Sequence, residues 1–375
     1  MRKKHFLFAS VLALLCGSSA LHAQDFKLTS SGYFKNQGVD IMAFDDIYPE
    51  GHQGGVCIIM NGHRVATNGD IRLEATPGQW QPVPKQLDRK LGDNSITATL
   101  CYPDSSRHLT GFNPMIYPDL HLIYTVNVES KGKNIEVTVD LDRPIPQEFI
   151  GKVGFNLEFF PGSLFGKPWI MDGQSGIFPQ QPNSPLMTTQ PNYLHTGNYH
   201  DGKQSLADMD KLIGKGYSPI VADDIISEPY AKGRKFTSRP DDPYNKVTIE
   251  SLSGDLQLFD GRMNHNNGWF VLRSNIKPGV TKGAVKWIIT PNVVADWMYQ
   301  PVIQTSQIGY HPAQDKEAVI EMDIRDNRKE TAQIIRIDAD GEKVVKNVTP
   351  ANWGKFLRYN YLKVDFTDVK EPGLY

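Results

Sequence analysis

The stretch LHLIYTVNVESKGKNIEVTVDL spans residues 120–141. Apolar side chains stand at Leu120, Leu122, Tyr124, Val126 and Val128, then again at Ile135, Val137, Val139 and Leu141. Successive side chains of a strand point to opposite faces, so this period of two predicts two half-buried strands. Ser130-Lys131-Gly132-Lys133 separates them. Two alternating runs across a short glycine-containing loop read as a β-hairpin.

The same rhythm extends outward. Val153, Phe155, Leu157 and Phe159 alternate within Lys152–Phe160. Val247–Leu252, Asp255–Phe259, Gly268–Arg273 and Ala284–Ile289 are further strand candidates. With 32 glycines and 25 prolines in 375 residues, turns outnumber what a helix bundle would need. The expected fold class is all-β: a large antiparallel β-sandwich over residues 24–300, followed by a smaller immunoglobulin-like β-sandwich over 301–375. The boundary is set near Pro301, after which strands become short and evenly spaced. Ala318–Met322, Ala332–Ile337, Lys343–Val348 and Tyr361–Phe366 carry that second rhythm. Asp338-Ala339-Asp340-Gly341 reads as a hairpin turn. A calcium loop there is disfavoured, since the later acidic ligands of an EF-hand are missing.

One short helix is expected at 205–213. Ser205 caps it, Asp208 completes a capping box, and Leu206, Met209, Leu212 and Ile213 form its stripe. Phe160–Leu194, rich in Pro, Gly, Asn and Gln, reads as a long ordered loop.

Residues 1–23 have the pattern of an export signal. Arg2, Lys3 and Lys4 precede the apolar run Phe6–Cys16, and Leu21-His22-Ala23 ends in the small residue a signal peptidase requires. That run is too short for a permanent transmembrane helix, and no second run of spanning length follows. Lipidation at Cys16 is the alternative. Removing the signal takes three positive charges from a formal net charge of −2, leaving −5. No basic footprint for nucleic acid remains.

Cys57 and Cys101 both lie in strand-like runs. Export permits a disulfide between them. The alternative is a pair of buried thiols acting as small hydrophobes. No CxxC pair and no metal-ligand spacing occurs, so neither a metal nor a cofactor is expected. Glu158 and Asp172 flank the long loop, and two carboxylates can form an acid/base pair. Glu158 has the opposite parity to Phe155, Leu157 and Phe159, which predicts an outward, solvated side chain. His121 has outward parity by the same argument. Sugar contact is a better use for Trp169, Tyr193 and Trp80, because aromatic faces stack on the apolar C–H face of a pyranose. The alternative, which weighs more, is that each ring plugs an edge or anchors its loop.

Gln307-Ile308-Gly309-Tyr310-His311-Pro312, followed by Lys316-Glu317-Ala318-Val319-Ile320, resembles the start of the immunoglobulin-like module of glycoside hydrolase family 9. Val364-Asp365-Phe366-Thr367 and Glu371-Pro372-Gly373-Leu374-Tyr375 resemble its later strands. Gly151–Glu158 and Leu164–Lys167 resemble, more weakly, an N-terminal β-sandwich found on some family 9 enzymes, with a mutarotase-like fold as one expectation. The resemblance implies a parent that hydrolyses β-glucan-type polysaccharide in the periplasm or at the surface of a Gram-negative bacterium. It also implies a catalytic barrel in cis, carrying an aspartate base and a glutamate acid. No catalytic residue maps onto this sequence, so the chain alone is expected to be inactive. A final strand is expected after Leu374-Tyr375. Three readings follow: part of a secreted glucanase, a carbohydrate-binding surface module, or a structural part that docks on a barrel. The last predicts an exposed apolar patch within 305–375.

Overall fold

The computed structural model describes residues 25–45, 54–74, 76–78, 84–102, 120–182, 227–263 and 268–375. The expected signal (1–23), the expected helix (205–213), Trp80 and Tyr193 lie outside them.

Twenty-four strands and a few short 3-10 turns make up the described chain, and every strand pairing is antiparallel. The first nine-stranded sheet runs in the order β1 (Lys27–Leu28), β2 (Phe34–Asn36), β3 (Val39–Ala43), β4 (Val56–Met60), β5 (His63–Leu73), β10 (Val153–Phe159), β17 (Phe270–Asn275), β16 (Leu256–Asp260), β13 (Ala231–Gly233). The second runs β12 (Gln174–Ile177), β11 (Pro168–Met171), β14 (Lys235–Ser238), β15 (Val247–Ser251), β18 (Val285–Pro291), β9 (Asn134–Leu141), β8 (Ile123–Lys131), β7 (Ser95–Cys101), β6 (Lys85–Leu91).

The opening hairpin is β8–β9. Lys131 pairs with Asn134, so Gly132-Lys133 makes the turn. Gly132 has φ +68°, a backbone conformation that glycine reaches without steric cost. Tyr124, Val126 and Val128 face inward with Ile135, Val137 and Val139. They join residues of both sheets in one apolar core. Each such side chain contributes roughly 1.5–3 kcal/mol through burial. Within the first sheet, Met60 of β4 pairs with His63 of β5 across Asn61-Gly62. Both turn residues have positive φ, +53° and +85°, the conformation that a two-residue I′ turn requires.

Two expectations are corrected here. The described part of Phe160–Leu194 is not one long loop: it holds the hairpin β11–β12, with Trp169 opposite Gly176. The reason is non-local, because β11 also pairs with β14, more than sixty residues on. And β10 is buried on both faces, not on one. It sits mid-sheet between β5 and β17.

The last part of the chain forms a four-stranded sheet, β19 (Val302–Gln304), β20 (Glu317–Asp323), β24 (Tyr359–Asp365), β23 (Ala351–Phe356), and a two-stranded one, β21 (Ala332–Asp338) with β22 (Gly341–Val348). Ala318, Ile320, Met322, Leu362 and Val364 form a second, smaller core, with Ala332, Ile334 and Val348 against it. Asp338 pairs with Gly341 (φ +118°), so this turn is a plain hairpin.

Residues 292–301 connect the two parts. The Trp297 ring packs on Gly38, where a Cβ would stand 2.7 Å from the ring, and Tyr299 packs on Gly62. Gln37 Nε2 and Arg325 Nη2 both donate to the Trp297 carbonyl, at 2.6 and 2.7 Å. Arg358 pairs with Asp40 across the junction.

Candidate functional site

The structure separates the residues that the sequence singled out. Trp169 is 6% exposed and belongs to the main core. A Cβ on its cross-strand partner Gly176 would lie 2.5 Å from the indole. This ring is packing, not a stacking platform. Cys57 and Cys101 are not bridged. Both are thiols, on strands of different sheets. Cys57 Sγ is 3.0 Å from Thr67 Oγ1 and 3.2 Å from the Gly54 carbonyl, within its own sheet.

Glu158 and Asp172 do not form a pair. Asp172 lies in the exposed β11–β12 turn and accepts from the backbone amides of Arg234 (2.7 Å) and Lys235 (3.0 Å). Glu158 is 3% exposed, and its Oε2 accepts from Asn68 Nδ2 at 2.7 Å. Glu158 lies on the face opposite Phe155, Leu157 and Phe159, as its parity predicts, but it is buried and not solvated, because that face is covered too. His121 is exposed.

That second face carries a charged network the sequence reading missed. Gly154, Asn156 and Glu158 of β10 lie opposite Asn275, Arg273 and Val271 of β17, and opposite Arg72, Asp70 and Thr67 of β5. Arg273 is 1% exposed. Its Nη1 donates to Glu74 Oε1 (3.1 Å) and Asn156 Oδ1 (3.0 Å). Its Nη2 donates to the carbonyls of Glu74 (3.0 Å) and Lys152 (3.1 Å), and its Nε to Asn275 Oδ1 (2.7 Å). Asn156 Nδ2 also donates to Glu74 Oε1, at 2.5 Å. Gly154 makes room: a Cβ there would meet Arg273 Nε at 2.8 Å. The available signal was the recurrence of charged or amide residues at the second parity of two runs, β10 and β17. Parity alone cannot tell solvent from a covering layer.

Burial decides the protonation here. It pushes the Glu74 carboxyl up to about 7, against the pull of Arg273. It lowers the Arg273 guanidinium by the same mechanism. Burial would lower Arg72 too, but Glu158, Asp70, Tyr102 and Glu74 outweigh it and hold that charge. A carboxyl raised on folding binds its proton more tightly in the folded state. Its contribution is therefore full below the unfolded value near 4.5 and is lost as pH rises through about 7. Urea midpoints should fall between pH 5 and pH 8, and Glu74→Gln should flatten that slope. An equal slope in the variant would remove Glu74 as its source.

The other feature is the surface of residues 298–375. In β24, Asn360, Leu362 and Val364 point into the small core, while Tyr359, Tyr361 and Lys363 point away. Trp353 and Phe356 on the edge strand β23 are 59% and 66% exposed. Away from them, Ile303 is 60% exposed, Ile308 99% and Leu374 65%. These three belong to segments flanking the free side of β21, where Ile337 and Leu374 form an isolated antiparallel bridge. Eleven of the twenty exposed large apolar side chains among the described residues fall at or after Val302. A groove of about 490 Å³ runs there, lined by Ile303, Tyr310, Ile334, Phe366, Leu374 and Tyr375. This is an apolar patch of the kind that marks a contact surface.

Among the described residues, no group of three or more His, Cys, Asp or Glu could hold a metal ion, and no helix is long and apolar enough to cross a membrane.

No curated protein matches the chain. A heparan sulfate lyase, HepC from Pedobacter heparinus, is similar to it at 10% identity and a TM-score of 0.26. The alignment covers 85% of this chain and 41% of the lyase chain, so this chain spans less than half of that protein. So loose a likeness carries no argument about fold or function. Residues 298–375 match the family model described as the cellulase N-terminal ig-like domain, so this part of the chain is similar to a cellulase-type immunoglobulin-like module.

Proposed function

We propose that this chain is the non-catalytic front part of a secreted polysaccharide-degrading enzyme of the family 9 glycoside hydrolase type. Its immunoglobulin-like module packs on a catalytic barrel encoded in the same polypeptide, and the chain by itself hydrolyses nothing. The observation that carries this reading is the concentration of exposed apolar side chains at 302–375, within the segment that matches the cellulase-type module. Surface of that kind is costly to leave in water and gains from a partner. The enzyme acts on a β-glucan-type polysaccharide after export directed by residues 1–23.

The test begins with the coding DNA past Tyr375, which should encode a barrel of paired helices with an acidic base and an acidic proton donor. Expressed as separate polypeptides, chain and barrel should copurify. Ile303→Asp with Ile308→Asp should weaken that association about tenfold or more, since each buried charge at an apolar contact costs over 1.4 kcal/mol. Neither side chain belongs to a core, so the melting of the chain should not change. No barrel-coding sequence, or copurification untouched by the double substitution, would overturn the proposal.

A further inference from the structure

Between the large sandwich and the module lies a cleft of about 430 Å³. That is within the size range of small-ligand sites, about 300–1,000 Å³. Three rings line it: Trp297, Tyr299 and Tyr359. They stand edge to face in succession, with centroids 6.3 Å apart from Trp297 to Tyr299 and 5.1 Å from Tyr299 to Tyr359.

The opposite wall carries two lysines. Lys27 and Lys35 are direct cross-strand partners on β1 and β2, and Lys35 in turn faces Asp40 on β3. Two like charges placed opposite each other destabilise a sheet. Neither lysine has an ion-pair partner among the described residues. Of the nearby carboxylates, Asp40 and Asp323 have closer guanidinium partners. Asp40 is paired with Arg358, and Asp323 is gripped by Arg325 through Nε and Nη2, each at 2.8 Å. Asp25 is the remaining acid of the lining, and its carboxylate lies toward the β8–β9 turn at Gly132. Lys27 and Lys35, both exposed, thus line the cleft beside Asp25 and the Arg358-paired Asp40.

We infer that this cleft binds an anionic saccharide, its sugar ring against Trp297, Tyr299 and Tyr359 and its carboxylate between Lys27 and Lys35. Aromatic rings accept the apolar face of a pyranose. Two adjacent lysines, neither closed into an ion pair among the described residues, favour a carboxylate over a hydroxyl. A uronic-acid residue offers both features in one ring. The site stands apart from the docking proposal, because neither Ile303 nor Ile308 lines it.

Titration calorimetry on the full chain tests this with three probes: trigalacturonate, cellotriose and inorganic phosphate. Trigalacturonate should bind, with cellotriose and phosphate each weaker by about tenfold or more, the equivalent of losing one charge-assisted contact or the ring contacts. Lys27→Gln with Lys35→Gln should weaken trigalacturonate by a similar factor, with melting unchanged or raised because the like-charge pair is gone. Lys27→Arg with Lys35→Arg should retain binding and separates lost charge from lost folding. No binding of trigalacturonate by the wild type overturns the inference. So does equal binding of cellotriose or phosphate, or undiminished binding by the glutamine variant.

Discussion

Replacing Arg273 by methionine lowers the stability of the sandwich by about 3–5 kcal/mol, the range for breaking a buried ion pair by removing one partner. The side chains of Arg273 and Glu74 are each 1% exposed, so water cannot step in. Five hydrogen bonds are lost together, to Glu74 Oε1, Asn156 Oδ1, Asn275 Oδ1 and the carbonyls of Glu74 and Lys152. Glu74 Oε2 already has no hydrogen-bond partner, so the variant leaves a carboxyl with little beyond Asn156. Glu74 should then remain protonated to higher pH, which softens the loss in acid and enlarges it in base. Methionine keeps most of the volume, so the loss reports the polar network and not a cavity. Adding Glu74→Met should recover part of it, because a buried pair replaced by apolar groups is often neutral. Urea midpoints at pH 7 for the wild type, the single variants and the double variant settle this. A loss below about 1 kcal/mol for Arg273→Met, ordinary for a surface change, would contradict the network's role.

Trp287→Ala should cost a similar amount, about 3–5 kcal/mol. Trp287 is fully buried on β18, in the middle of the second sheet. Its ring meets Phe155 of the first sheet edge to face, at 5.0 Å and 81°. It therefore joins the two layers. Its Nε1 donates to Ser274 Oγ at 3.1 Å, and Ser274 Oγ donates onward to the Asp255 carbonyl at 3.0 Å. Alanine opens a cavity between the sheets, and rigid strands on both sides prevent collapse into it. Trp287→Phe keeps an edge-to-face partner for Phe155 and should cost roughly half as much, with one hydrogen bond and part of the volume lost. The readout is the urea midpoint followed by far-UV circular dichroism, since the substitution removes a fluorophore. Equal losses for alanine and phenylalanine would show that ring packing is not what Trp287 supplies.

Much of the architecture was legible because strand faces are written in the sequence two residues at a time. The β8–β9 hairpin shows this. Its inward residues alternate without interruption, and only glycine suits the turn at φ +68°. β5 was harder, because bulges shift its register against β4 and again against β10. Each shift exchanges the faces, so His63–Leu73 shows no steady period. β11 was misread as loop because its partner β14 lies far along the chain. The site suffered more than the fold. For Trp169 the sequence left two readings, a sugar-stacking ring and the weightier one of a ring that plugs an edge or anchors its loop, and only the β11–β12 hairpin places it in the core.

By itself, then, the sequence determined the all-β class and the antiparallel hairpins, and it carried the resemblance of residues 305–375 to a cellulase-type module, all of which rest on local alternation and short-range motifs. Only the tertiary structure decided what lies on the second face of each strand. It buried Glu158 and Arg273 and left Ile308 in solvent. It also left Lys27 and Lys35 side by side at a junction with residues nearly three hundred positions away. The reason is that alternation separates one face from the other. Whether a face meets water, a second layer or another part of the chain is set by segments distant in sequence.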